Sequence, residues 1–139
     1  QNMQNKPEYK SLIKELLSFF AKRIYLAREK GIIDIIIDPG IGFGKTLSDN
    51  LNIFKYLPLF HCLGVPILIG ASRKSLISEL TMKDYKFRGK NKKDISPSKR
   101  LSGSLAFAIH ANMCGVQILR THDVFETNQA FICQKYLYL

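Results

Sequence analysis

Three short polar segments each follow an apolar run, and their side chains could bind a ligand. They are residues 38–46 (DPGIGFGKT), 70–75 (GASRKS) and 120–124 (RTHDV). The first segment joins a carboxylate to three alternating glycines, the second carries adjacent arginine and lysine side chains, and the third carries an arginine and a histidine. A carboxylate at the end of a strand, beside a glycine-rich loop, is typical of ligand sites in α/β folds.

Neither of the two common phosphate-binding loops fits the first segment. A Walker loop requires Gly-x4-Gly-Lys-Thr, but Pro39 occupies the position of the first glycine. The dinucleotide fingerprint Gly-x-Gly-x-x-Gly also fails, because Gly40, Gly42 and Gly44 alternate. The simpler alternative is an ordinary strand-to-helix turn in which Asp38 serves only as a cap.

The apolar pattern predicts how these segments are positioned. Apolar residues at helical spacing indicate an amphipathic helix near residues 8–30 that ends at Gly31. Mainly apolar runs, the first of them broken by Asp34, indicate strands at residues 32–37, 65–70 and 116–119, with the first buried on both faces. Helices follow the strands, and this regular alternation predicts parallel strands with right-handed crossovers. The polar segments should therefore meet at the C-terminal edge of the sheet, where barrel enzymes place their sites.

Several helix ends and buried stripes are also predicted. Ser48 or Asp49 should cap the second helix, Pro58 should kink or restart it, and Gly64 should close it. A helix over residues 97–114 should bury one stripe, formed by Leu101, Leu105, Ala108, Ile109 and Met113.

Asp123 should cap the last helix, with Glu126 three residues later as in a capping box. A short helix is predicted through residues 76–80. His61 and His110 are interpreted as ordinary helix-surface histidines.

Size and composition narrow the class of protein. The chain has 139 residues, of which 46% are hydrophobic, so one small domain with a core is expected. No apolar run is long enough to span a bilayer, and the polar N-terminus does not resemble a signal peptide. Three cysteines without close pairing (Cys62, Cys114 and Cys133) suggest reduced, buried thiols in a cytoplasmic protein, and no zinc site is expected.

The net charge is +10, and much of it lies in residues 83–100. A basic balance can indicate nucleic-acid binding, which would make the chain a non-catalytic basic binding protein. A charge run of this kind is more often a solvated, mobile loop, and we favour that interpretation. We therefore expect neither a nucleic-acid nor a membrane partner.

Together, and in this order, the three segments resemble the dihydropteroate synthase family. The resemblance covers nearly the whole chain. It implies an α/β fold, with residues 1–139 forming the C-terminal part, about three βα units, of a (β/α)8 TIM barrel. The strands would be the sixth, seventh and eighth, and the first five would be absent. Such a remnant is expected to be poorly stable alone or to pair with another chain.

The family joins 6-hydroxymethyl-7,8-dihydropterin pyrophosphate to p-aminobenzoate and releases pyrophosphate, in folate biosynthesis. The resemblance implies that Asp38 binds the pterin, since a carboxylate can accept paired hydrogen bonds from an amino group and a ring N–H. Lys74 resembles the lysine that donates to the pterin ring and borders the p-aminobenzoate site. Ser72 and Arg73 would flank that second site.

Arg120 and His122 resemble the anion clamp on the pyrophosphate, with Thr121 pointing the other way. With Lys74 they are the implied catalytic residues. Gly42 and Phe43 would pack beside the ring. Lys45 and Thr46 are interpreted as residues that fix the loop.

The resemblance also implies partners and a cofactor. Magnesium is implied, although the asparagine that helps to hold it belongs to a strand absent from this chain. A homodimer through the late helices, or a complementing N-terminal chain, is implied as a partner. Whether the isolated chain is active stays open. A pterin-binding methyltransferase-like domain is the nearest alternative, but such enzymes lack a pyrophosphate for Arg120 and His122 to grip.

Overall fold

The structure, a computed structural model, describes residues 7–87 and 94–137. The α-helices are α1 (Pro7–Glu29), α2 (Leu47–Lys55), α3 (Ser75–Phe87), α4 (Leu101–Met113) and α5 (Val124–Leu137). The strands are β1 (Leu68–Ile69) and β2 (Ile118–Leu119), and 3-10 helices cover Leu57–Leu63 and Pro97–Lys99. The predicted alternation of helices and strands is confirmed from α2 onward, although both strands are shorter than predicted.

The sheet is parallel, with β1 at its centre. Leu68 pairs with Ile118 and Ile69 with Leu119 on one side of β1. On the other side, a single parallel bridge joins Ile37 to Ile67. All three polar segments therefore leave the sheet at the same edge, as predicted.

The predicted strand at residues 32–37 is wrong over most of its length, because only Ile37 forms a bridge. The prediction that it is buried on both faces is also wrong, since Ile33 is 83% exposed and Ile36 is 55% exposed. Among the described residues, no strand pairs with the outer side of this segment. Without that partner the backbone lacks the second ladder that would hold it as a strand.

Helix α1 forms as predicted and covers one side of the core. Ile13 and Ile24 are buried, and the Phe20 ring meets Phe60 edge-on with centroids 6.3 Å apart. Gly31 follows the helix with φ +79°, the left-handed conformation expected after a helix end.

The cap of α2 differs from the prediction. Thr46, not Ser48 or Asp49, is the N-cap residue. Its hydroxyl accepts from the Asp49 backbone N–H at 3.2 Å, and the Asp49 carboxylate accepts from the Thr46 N–H at 3.0 Å. The two residues form a capping box, so the helix begins earlier than predicted. The predicted restart near Pro58 and the end at Gly64 (φ +66°) are confirmed by the 3-10 helix.

Helix α4 also differs from its prediction. A 3-10 turn precedes it, and the residues it buries most deeply are Ser104 and Ala111. Met113, predicted to be buried, is 57% exposed. The helix packs through small residues instead: a Cβ at Gly103 would lie 2.3 Å from the Ile77 side chain of α3. Close approach, rather than a stripe of large apolar side chains, sets this contact.

The basic run and the cysteines require corrections as well. Residues 83–87 continue α3, and Arg100 is only 7% exposed, so these parts are not a solvated loop. Residues 88–93 lie outside the described residues.

The cysteines are free thiols, but Cys62 and Cys133 are exposed, contrary to the prediction of burial. Over the described ranges, none of the helices is long and apolar enough to cross a bilayer.

Candidate functional site

Beside the first polar segment, the second and third segments line one open cavity at the sheet edge. It is lined by Gly70, Ser72, Lys74, Arg120, Thr121 and His122. Asp38 reaches the same place, because its Oδ2 atom lies 3.6 Å from Nη2 of Arg120. The side chains that the sequence predicted to share a site are therefore neighbours, while their roles stay predictions.

Lys74 links the second segment to the glycine loop. Its Nζ donates a hydrogen bond to the carbonyl of Ile41 and lies 4.2 Å from the centroid of the Phe43 ring. This contact depends on Gly42, because a Cβ there would lie 3.0 Å from Cδ of Lys74. Gly42 also has φ +79°, which a residue with a side chain rarely adopts. A glycine is therefore required at position 42 both for the close approach of Lys74 and for the left-handed backbone.

The environment of Lys74 disfavours its charged form. Burial lowers the pKa of its ammonium, the neighbouring Arg120 lowers it further, and Asp38 acts in the opposite direction. A bound anion would offset both effects, since it would supply negative charge beside two cations. The cavity is therefore suited electrostatically to an anion.

Arg120 is fixed at its backbone, and its guanidinium lies beside Asp38. Its N–H donates to the Ile69 carbonyl at 2.9 Å, which extends the sheet by one bond beyond β2. Its side chain crosses Gly70, where a Cβ would lie 3.0 Å from Nη2. The guanidinium is largely exposed and can form paired hydrogen bonds with an anion.

His122 is oriented by Ser72. The Ser72 hydroxyl accepts from the His122 backbone N–H at 3.2 Å and lies 3.0 Å from Nδ1 of the same residue. When the hydroxyl donates to Nδ1, Nε2 carries the proton and can donate to an anion. Thr121 turns its hydroxyl toward Thr127, 3.1 Å away, as the predicted alternation requires.

The Arg73 side chain is bound to Asp123 and does not line this cavity, while its predicted place beside the p-aminobenzoate site stays a prediction. Its Nε donates to Oδ2 of Asp123 at 3.1 Å, and Nη2 pairs with Oδ1. This pairing raises the pKa of Arg73 and lowers the pKa of the Asp123 carboxyl. The predicted capping box of Asp123 and Glu126 is accordingly wrong: the carboxylate binds Arg73, and the Asp123 N–H donates to Thr121 Oγ1 at 3.2 Å.

Sequence reasoning missed Asn50, which holds the glycine loop from α2. Its Oδ1 accepts from the Gly42 N–H at 2.7 Å, and its Nδ2 donates to the Thr46 carbonyl at 2.8 Å. In the sequence Asn50 stands among the polar residues Asp49 and Asn52, so no pattern marks it, and its burial is seen only in the structure. Lys45 also fixes the loop, as predicted, through Nζ bonds of 3.1 Å to Gly40 O and 3.3 Å to Phe43 O.

His61 and His110 each place a ring nitrogen within hydrogen-bond distance of a backbone carbonyl. His61 Nε2 lies 2.8 Å from the Cys114 carbonyl, and His110 Nε2 lies 3.1 Å from the Phe54 carbonyl. Within residues 7–87 and 94–137, no cluster of three or more His, Cys, Asp or Glu side chains could hold a metal ion. The implied magnesium stays a prediction from the resemblance.

Comparison with known sequences gives consistent matches. The profile of a family described as pterin binding enzyme matches residues 1–122. Dihydropteroate synthase of Escherichia coli K12 is 39% identical over 132 residues, which are 94% of this chain and 43% of that protein. Dihydropteroate synthase of a Synechocystis species is 40% identical over 126 residues, covering 89% of this chain and 40% of that protein. The chain thus spans less than half the length of these curated relatives.

Solved structures show the same relationship. Yersinia pestis dihydropteroate synthase superposes with a TM-score of 0.80 at 34% identity, over 99% of this chain and 52% of that one. The Xanthomonas albilineans enzyme in complex with 7,8-dihydropteroate gives 0.80 at 36% identity, over 95% and 48%. The Thermus thermophilus enzyme in complex with 4-aminobenzoate gives 0.78 at 34% identity, over 92% and 48%. These proteins are TIM-barrel enzymes, so the α/β arrangement described above is part of such a barrel.

Proposed function

The chain belongs to the pterin-binding enzyme family, and we propose that it forms the pterin- and pyrophosphate-binding part of a dihydropteroate synthase. The reaction would join 6-hydroxymethyl-7,8-dihydropterin pyrophosphate to p-aminobenzoate. The observation that carries this proposal is that Lys74 and Arg120 line one cavity and that Asp38 lies beside it, 3.6 Å from Arg120, so that three separate segments of the chain contribute.

The pterin would be held by Asp38 and Lys74. The Asp38 carboxylate is exposed at the sheet edge, so it can accept two parallel hydrogen bonds from the amino group and ring N–H of a pterin. Lys74 supplies a hydrogen-bond donor from the second polar segment, and Phe43 beside it offers an exposed aromatic face. A flat ring with donors on one edge fits this combination of groups.

The pyrophosphate would be held by Arg120, His122 and Lys74. In the reaction the C–O bond to pyrophosphate breaks, a C–N bond to the amine of p-aminobenzoate forms, and the amine loses a proton. Negative charge grows on the departing oxygen, and donors that are already fixed there stabilise the transition state more than the ground state. The Ser72–His122 contact orients one such donor, and the backbone bond of Arg120 fixes the main chain from which its guanidinium extends.

The p-aminobenzoate would lie beside Ser72, between Lys74 and the third segment. Relatives support this assignment of substrates, since a solved structure of the Thermus thermophilus enzyme contains 4-aminobenzoate. Arg73 would act on this site indirectly, because its guanidinium is bound to Asp123.

Two assemblies remain part of the proposal: a homodimer, and a complementing chain that supplies further barrel strands. The exposed apolar side chains of Ile33 and Ile36, beside an incomplete strand, favour the complementing chain. The proposal also keeps the cytoplasm as the compartment. No step of it depends on magnesium.

A pterin-binding methyltransferase-like domain is the second candidate. It would account for the Asp38 carboxylate at the end of the glycine loop. The cationic pair Arg120 and Lys74 favours the synthase, because a methyltransferase substrate has no pyrophosphate for these groups to bind.

Calorimetric titration of the purified chain with the pterin pyrophosphate tests the proposal. Binding should be at least about tenfold weaker in Lys74→Ala, because a charge-assisted hydrogen bond is lost. Lys14→Ala, an exposed lysine of α1, is the matched control and should bind like the wild type. Absence of binding by wild-type chain that is shown to be folded would reject a working half-site.

A further inference from the structure

We propose that Arg100 is a positioning residue that holds the Ser72-Arg73-Lys74 turn in its binding geometry from behind the site. The proposal rests on the function proposed above for Ser72 and Lys74. Arg100 belongs to the basic run at residues 83–100, which the sequence pattern predicts to be a solvated loop.

The turn has an unusual backbone that needs support. Among the described residues, Arg73 is the single non-glycine residue in the left-handed region, with φ +57°. This conformation is unfavourable for a residue with a Cβ, so it persists only where the surroundings hold it. Both neighbours of Arg73 are site residues, hence the left-handed bend decides where Ser72 and Lys74 point.

The backbone N–H and carbonyl of Arg73 are both hydrogen-bonded, one to Ser104 of α4 and the other to Arg100, which directly precedes α4. The Arg73 N–H donates to Oγ of Ser104 at 2.9 Å, and the Arg73 carbonyl accepts from Nη1 of Arg100 at 2.9 Å. The Ser104 hydroxyl in turn donates to the Arg100 carbonyl at 2.8 Å. Arg100 and Ser104 therefore grip Arg73 on both sides of its Cα.

Arg100 is itself fixed. It is 7% exposed, and its Nε donates to the Ile95 carbonyl at 2.7 Å. Asp94 Oδ2 lies 3.6 Å from its Nη2 and supplies the compensating charge. A buried guanidinium whose separate N–H groups donate to separate acceptors is rigid, and a lysine could not reproduce this fork. Arg100 thus acts on the cavity through the turn.

The NMR signals of the full chain can test this role without any ligand. The Lys74 ammonium lies over the Phe43 ring, so the ring current should shift the neighbouring Cε protons of Lys74 upfield. In Arg100→Lys most of this upfield shift should disappear, because the turn loses the fork that orients Lys74. The affinity for inorganic pyrophosphate should fall about tenfold, as expected for the loss of a positioned charged donor.

Two variants complete the test. Arg28→Lys, an exposed arginine of α1, should keep both the shift and the affinity. Ser104→Ala removes the acceptor of the Arg73 N–H and should reproduce the loss of the Lys74 shift, so the test survives if Arg100→Lys fails to fold. Folded Arg100→Lys and Ser104→Ala proteins that melt at lower temperature but keep the wild-type shift would overturn the proposal, since Arg100 would then be merely structural.

The proposed function can fail separately. If wild-type chain shows the Lys74 shift but binds no pyrophosphate, the anion site is rejected, while the loss of the shift in the variants still supports the positioning role.

Discussion

The guanidinium of Arg120 lies 3.6 Å from the carboxylate of Asp38, although the two residues belong to different segments and are assigned to different parts of one ligand. Asp38 therefore competes with the pyrophosphate for Arg120, and Arg120 competes with the pterin for Asp38. Asp38→Asn should release Arg120 and raise the affinity for inorganic pyrophosphate a few fold, as expected for an exposed ion pair of about 0.2–1 kcal/mol. The same change should weaken binding of a dihydropterin without pyrophosphate by about tenfold, because charge-assisted bonds are lost.

Calorimetry with each ligand separately measures these opposite effects. Asp34→Asn is the matched control, since Asp34 is exposed and its substitution changes the net charge equally. An equal gain of pyrophosphate affinity in Asp34→Asn would show that net charge, rather than the Asp38–Arg120 pair, is responsible.

Gly103→Ala should destabilise the fold even though alanine is the better helix former. The added Cβ would lie 2.3 Å from Cγ2 of the buried Ile77, so α3 and α4 must separate or Ile77 must move. We expect a loss of about 1–3 kcal/mol in the free energy of unfolding, measured by urea denaturation. Ser102→Ala, on an exposed position of the same helix, should change it by less than about 0.5 kcal/mol.

A second substitution tests whether the contact with Ile77 causes the loss of stability in Gly103→Ala. Ile77→Ala removes the clashing atom, so Gly103→Ala should cost less in that background than in the wild type. Equal costs in both backgrounds would mean that the contact with Ile77 is not the reason.

Thr46→Ala should remove the N-cap of α2 and lower the free energy of unfolding by about 1 kcal/mol. Thr46→Ser keeps the hydroxyl that bonds the Asp49 N–H and should lose much less. Hydrogen exchange of the amides at the start of α2 should increase in Thr46→Ala. If the serine variant is as unstable as the alanine variant, the methyl group rather than the cap is the stabilising feature.

The ion pair of Arg73 and Asp123 should make stability depend on pH. The guanidinium lowers the pKa of the Asp123 carboxyl below its usual range in the folded protein. Such a group contributes stability that is fully present above the unfolded pKa, about 3.9, and is lost as the pH falls through the folded value. Wild-type chain should therefore be more stable than Asp123→Asn at pH 7, and the difference should shrink below about pH 4.

Chemical denaturation at a series of pH values measures this difference. The same series on Asp34→Asn gives the background from an exposed aspartate. A gap between wild type and Asp123→Asn that stays constant down to the acid limit would rule out the ionised pair as its source.

The sequence was sufficient for features that depend on local pattern. The periodic apolar residues of α1 and the glycines at positions 31 and 64 predict their helix ends, because a left-handed residue is required there. The parallel alternation then places the polar segments at one edge without any knowledge of side-chain contacts.

The remaining features depend on partners distant in the chain. Arg100 lies in a basic run that is typical of a solvated surface, and only its bonds to Arg73 and Ile95 reveal a buried role. Asp123 has the pattern of a capping residue, but Arg73, fifty residues earlier, takes its carboxylate. Ile33 and Ile36 have the composition of a buried strand, yet burial requires a neighbour that composition cannot specify.

The exposed segment at residues 32–36 has a consequence for handling the protein. Its exposed apolar side chains, next to the single bridge at Ile37, form an apolar surface on which the same segment of another molecule can pack. The net charge of +10 opposes such stacking by mutual repulsion. That repulsion is long-ranged only in dilute buffer, since the screening length falls to about 10 Å at 0.1 M salt. Added salt should therefore promote aggregation of this chain, and the most soluble preparations should be those at low ionic strength.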